Sequence, residues 1–199
     1  MPLSPAAPRE HLHTRRITCE GFLRADGLWD IEAHMTDVKT YAFSTEYRGT
    51  LEPGTPLHDM RIRLTVDESL TVKAIEAVTD GSPYAICPAI TPRFQKLVGV
   101  TIGQGWRRAV AEHLSGVEGC THLVELLQPV ATVAFQTIVP YRNRTLAKDG
   151  SLRALPGSAE TPRRPPIIDT CHALASDGPV VQRFWPKFFT GKPSDPKPG

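Results

Sequence analysis

Among the side chains able to move protons or bind metals, five stand out as candidates: Asp30, Glu32, His58, Cys120 and His122. Carboxylates beside imidazoles shift each other's pKa into the working range of general acid–base chemistry. Asp30, Glu32 and His34 recur at the two-residue spacing that puts them on one face of a strand. The same spacing also fits a plain wet sheet face, because Arg61 and Arg63 stand on the polar side of another strand and can pair across to them. His58-Asp59 follows a turn-rich stretch, where a side chain is either aimed into a cleft or caps the turn. Cys120 and His122 open a helix whose free N–H groups and dipole favour a thiolate, yet Cys120 also falls on that helix's apolar stripe, as an inert core thiol would.

Trp29, Tyr84 and Trp106 are candidate walls for an aromatic ring. Cys87, beside Pro88, combines with Cys120 and His122 into an alternative metal-ligand set of soft and borderline donors. Cys171-His172 is the only adjacent Cys-His pair, and with no CxxC anywhere the spacing of a structural zinc site is missing. Cys19, Cys87, Cys120 and Cys171 are widely separated in a chain large enough to fold without staples, which reads as four reduced thiols.

The elements that must position these groups come in two blocks. Alternation over residues 15–24 predicts a strand, Asp26-Gly27 a hairpin turn, and Trp29, Ile31, Ala33 and Met35 the apolar side of a second strand. Met60, Ile62, Leu64 and Val66 predict a third, and 70–78 an antiparallel partner. The period then changes. Thr91-Pro92 predicts a short helix over 92–98, Trp106, Val110 and Leu114 a second ended by Gly116, and Cys120, Leu123, Val124, Leu127, Ala131, Ala134 and Ile138 the buried stripe of a third, kinked at Pro129. Strands followed by helices give an α+β fold, an antiparallel sheet of about four strands with three helices on one face. Residues 10–140 form this single domain. Residues 141–199 are a proline-rich extension, extended for the most part, in which the Ile167–Leu174 island and the aromatic cluster of Phe184, Trp185, Phe188 and Phe189 dock back.

Lys and Arg number 23 against 21 acidic residues and are scattered, so the sequence has no basic stripe for a phosphate backbone, and nucleic acid is not an expected partner. No segment reads as a signal peptide, and none approaches the roughly 20 apolar residues that cross a bilayer, so the expectation is a soluble cytoplasmic protein with no membrane partner.

The phrases Asp26-Gly27-Leu28-Trp29-Asp30-Ile31-Glu32, His58-Asp59-Met60 and Glu118-Gly119-Cys120-Thr121-His122-Leu123 resemble a proteobacterial family of unknown function, over about residues 10–140. Its members look like accessory enzymes of aromatic-compound catabolism. The order of sheet, Cys87, helices and Cys120 at the mouth of a long helix also resembles, in topology, iron–sulfur cluster scaffold proteins. This chain departs from them in having no cysteine between Pro88 and Gly119.

The first resemblance implies a lyase-type enzyme that eliminates a small fragment such as formaldehyde from a lignin-derived phenolic compound, with no cofactor. Asp30, Glu32, His58, His122 and Cys120 would be its acid–base groups. The alternative is a metal or iron–sulfur binding protein using Cys87, Cys120 and His122, and a third reading is an interaction protein acting through its proline-rich tail.

Overall fold

Alternation of apolar and polar residues builds the main sheet. A computed structural model of the chain describes residues 3–146 and 163–192. It divides into two compact units, Met1–Val139 and Pro140–Gly199.

In the first unit β1 (His13–Leu23), β2 (Trp29–Lys39), β5 (Pro56–Val66) and β6 (Val72–Gly81) form one antiparallel sheet in the order β1-β2-β5-β6. The β1–β2 turn is the expected one: Gly27 takes φ 84°, and Asp26 accepts the Leu28 N–H. The sequence reading missed a small hairpin, β3 (Phe43–Thr45) with β4 (Gly49–Leu51), inserted between β2 and β5. Three-residue strands are too short to show a period.

Trp29, Ile31, Ala33 and Met35 of β2 and Met60, Ile62, Leu64 and Val66 of β5 are buried on one sheet face. Covering them are a 3-10 run over Cys87–Leu97, which contributes Phe94 and Leu97, then α1 (Trp106–Leu114) and α2 (Thr121–Leu146). The predicted helix over 92–98 is therefore part of a longer 3-10 segment. Trp29 and Trp106, expected as ring walls, are each 3% exposed and belong to this core.

α2 runs on through Pro129. Its stretch Thr121–Arg142, with mean hydropathy 1.3, is long and apolar enough by length and composition to cross a membrane, which corrects the expectation that nothing in the chain reaches that length. Leu123, Leu126, Leu127, Val130, Ala131, Ala134 and Ile138 face the core, whereas Thr121, Glu125, Gln128, Thr132 and Gln136 face out. An amphipathic helix lying on a sheet has this pattern, and it is compatible with a soluble protein.

The second unit has a small core of its own, Ile168, Val181 and Trp185, around the short helix α3 (Pro179–Phe184). The Ile167–Leu174 island and the aromatic cluster singled out in the sequence both contribute to this small core. The prolines at 156, 162, 193, 196 and 198 lie outside the described residues. All four cysteines are free.

The first and last elements of the first unit meet where β1 carries Gly21: a Cβ there would overlap the Thr137 side chain of α2. Overpacking of this kind costs about 1–3 kcal/mol. Gly21→Ala is therefore expected to lower the unfolding free energy by about that amount in denaturant titration, and adding Thr137→Ala should return most of it.

Candidate functional site

The apolar stripes of three neighbouring strands each end in a charged or ionisable residue. Two positions beyond Met35 on the buried side of β2 stands Asp37, two before Met60 on β5 stands His58, and two before Ile17 on β1 stands Arg15. Strand register sets Arg15 opposite Asp37 and Asp37 opposite His58, so the three lie in a row on the helix-covered face. α2 then brings His122 and Glu125 over the row.

Asp37 is 1% exposed, and its carboxylate accepts four hydrogen bonds. Arg15 donates from Nε to Oδ1 at 2.8 Å and from Nη2 to Oδ2 at 2.7 Å. His13 Nε2 lies 3.1 Å from Oδ1 and His58 Nδ1 3.0 Å from Oδ2. Arg15 also bonds Glu125 through Nη1, tying the sheet to the helix. Burial works to raise the Asp37 pKa, but the hydrogen bond and charge of Arg15, followed by those of His58, outweigh it and hold the pKa at about 2.

An ionised Asp37 fixes the neighbouring tautomer: His58 Nδ1 carries the proton and donates it to the carboxylate, leaving Nε2 with a lone pair. The His122 ring lies against that of His58, centroids 3.8 Å apart and planes tilted by 32°. Both imidazoles are pushed below their ordinary pKa. For His58 burial acts first, then the charge of His122, against the pull of Asp37. For His122 burial acts first and the charge of Arg15 second. Cys120 Sγ sits 4.0 Å from His122 Nδ1, half-buried and packed against the core.

The remaining expected site residues lie elsewhere. Asp30 and Glu32 are on the opposite sheet face, where Asp30 accepts from Thr65 at 2.6 Å and Glu32 pairs with Arg63 at 2.7 Å. His34 pairs there with Asp59 at 2.7 Å. The acid–base face expected from their spacing is thus a lattice of cross-strand ion pairs, because a period of two sends Asp30 and Asp37 to different sides of the sheet. Trp29 stands eight residues along β2 from Asp37, about 26 Å at the rise of a strand. Trp106 borders a cleft of about 540 Å³ with Gln128, Ala131 and Phe135; that cleft shares no residue with the His58–His122 centre. Tyr84 is 68% exposed, three residues beyond Gly81, which pairs with Asp59 beside His58. Among the described residues the one group of three metal-capable donors is Asp37, His58 and His122, so Cys87 does not join Cys120 and His122 in a ligand set.

Arg15 and Asp37 were missed in the sequence, although a signal for them was there: each continues an apolar stripe with a charge.

An antiparallel sheet roofed by a long helix, with a buried carboxylate–imidazole centre at one end, is the class of domain that fold and site define. The chain belongs to the family of proteins of unknown function DUF2889, whose profile covers residues 13–136 and with them every residue of the centre. No curated protein matches it, and no solved structure does.

Imidazoles with depressed pKa values give the stability a definite pH dependence. The unfolded chain takes up protons near the ordinary value of 6.5 while the folded centre resists them, so stability is full above that pH and falls as the pH drops toward the folded-state values. Titration of the imidazole C–H resonances is expected to give midpoints for His58 and His122 below 6.5, with unfolding becoming easier over the same range.

Proposed function

We propose that the chain is a lyase-type enzyme performing acid–base elimination on an aromatic, lignin-derived phenolic compound and releasing formaldehyde, with His58 as general base and His122 as the second proton carrier. The observation that carries this reading is the pair of stacked, neutral imidazoles, one of them oriented by a buried carboxylate. Such an elimination needs two groups that trade protons with the substrate. One takes the phenolic proton, and the phenolate electrons expel a hydroxyl from the side chain as it receives a proton from the other. A base then removes the proton of the side chain's terminal CH2OH; its C–C bond breaks to give formaldehyde, and the electron pair restores the ring. A neutral imidazole suits the base, and the acid is an imidazole that carries a proton taken up from solvent, which the base step on the terminal CH2OH restores. Cys120, beside His122, is assigned to the same centre, and Tyr84 to the ring-binding rim. Asp30 and Glu32 are not kept as acid–base groups, nor Trp29 and Trp106 as ring walls. The four free thiols suit a cytoplasmic setting.

A second reading has one observation in its favour: the donor atoms of Asp37, His58 and His122 lie within 4.8 Å of one another, close enough for a divalent cation such as zinc. Two features weigh against it. The Arg15 fork and two imidazoles already fill the acceptor positions of Asp37, and the His58 and His122 rings lie against each other with centroids 3.8 Å apart, whereas two imidazoles on one ion diverge from it. An iron–sulfur cluster fits less well still, since the donor group contains no cysteine.

Formaldehyde release from a panel of lignin-type phenolics tests the proposal. Loss of a positioned acid or base costs roughly 10²–10⁴-fold, so His58→Ala and His122→Ala should each lose about that much turnover while Asp30→Asn and Glu32→Gln keep theirs. If both histidine variants keep full activity, the assignment is wrong. Stoichiometric zinc in untagged protein, lost in His58→Ala, would favour the metal reading instead.

A further inference from the structure

The two edges of the main sheet are finished differently. β6 pairs with β5 through register shifts at both ends, is flanked by the 3-10 segment, and its start is closed by bonds from Val72 to Gly99 and Val100. Among the described residues β1 has no such cover. Its pairing with β2 runs eleven residues without a shift, it contains no proline, and Ile17, Phe22 and Leu23 on it are exposed. A long, straight edge strand with apolar side chains is a template for another strand unless something blunts it.

Charge pairing singles out the same strand. Every charged side chain of β2, β5 and β6 has a partner among the described residues, as in Glu32–Arg63–Glu76, His34–Asp59 and Arg61–Asp80. Lys73 pairs with Asp67, and Lys39 lies over the Tyr41 and Phe43 rings. On β1, His13 and Arg15 are used by Asp37. Arg16 and Glu20 are left without a counter-charge among the described residues, and Glu20 even stands opposite another acid, Glu32.

We infer that β1 is the interface with a second copy of this chain, paired antiparallel across a two-fold axis at Thr18. In that register residue numbers across the interface sum to 36. Arg16 therefore meets Glu20 of the second copy, and Glu20 meets Arg16, so one spacing satisfies both stranded charges twice over. Thr18 meets Thr18, Ile17 meets Cys19, and Gly21 of the second copy stands opposite Arg15, bringing no side chain that could draw the guanidinium from Asp37. Self-complementarity of this kind is what a two-fold interface demands. It would join the two four-stranded sheets into one of eight, and the outward N–H and C=O groups of β1 would find partners. The exposed ion pairs add little binding by themselves; they fix the register and reject the strand slipped by two.

Sedimentation velocity of the full chain tests this. The wild-type chain should sediment as two chains, Arg16→Glu and Glu20→Arg each as one, and the Arg16→Glu/Glu20→Arg double variant as two again. Hydrogen exchange keeps the result separate from misfolding: alternate amides of 13–23, those turned away from β2, should be slow in the wild type and fast in the single variants, with β2 and β5 unchanged. A monomeric wild type, a dimer that survives both single swaps, or a double variant that stays monomeric would each overturn the inference.

Discussion

The structure turns on a carboxylate that has been taken out of water. Asp37 occupies a core position of β2, and desolvating a charge costs several kcal/mol unless its lone pairs are met. Arg15, His13 and His58 meet all four. Around that requirement the rest of the end of the sheet is arranged: β1 and β5 flank β2 so that a guanidinium stands on one side and an imidazole on the other, and α2 adds Glu125 to hold the far end of Arg15. A single guanidinium thus compensates the buried charge, while burial first of all, with the Arg15 charge adding to it, pushes both imidazoles below their ordinary pKa.

The hydrogen-bonding pattern also bears on two chemistries open to the same three residue types. Two histidines and an aspartate suggest a cation, but a carboxylate whose acceptor positions are already filled has little left to give one. The ring-on-ring contact of His58 and His122 leaves the in-plane nitrogens, rather than the ring faces, as the places where a molecule beside the pair would meet them.

Much of the frame is legible in the sequence because the strands are long and alternate strictly, and because α2 repeats its apolar residues over five turns. His58 and His122 are legible as reactive types in exposed-looking contexts. What the sequence conceals is the company they keep. Asp30 and Asp37 look equally able to work with them, and only the parity of the strand, together with the pairing of Asp37 with His58, separates the acid at the centre from the acid on the wet face. Such pairing is non-local, so no window along the chain contains it. The short β3–β4 hairpin and the small core around Trp185 escape for the opposite reason: their elements are too brief for any period to build up.

Arg15 and Glu125 are separated by 110 positions, yet they bond directly. Closing so long a loop has an entropic cost that the contacts around it must offset. The centre is therefore a property of the assembled domain: with the first strand and the longest helix apart, Arg15 loses Glu125 and His122 leaves the side of His58.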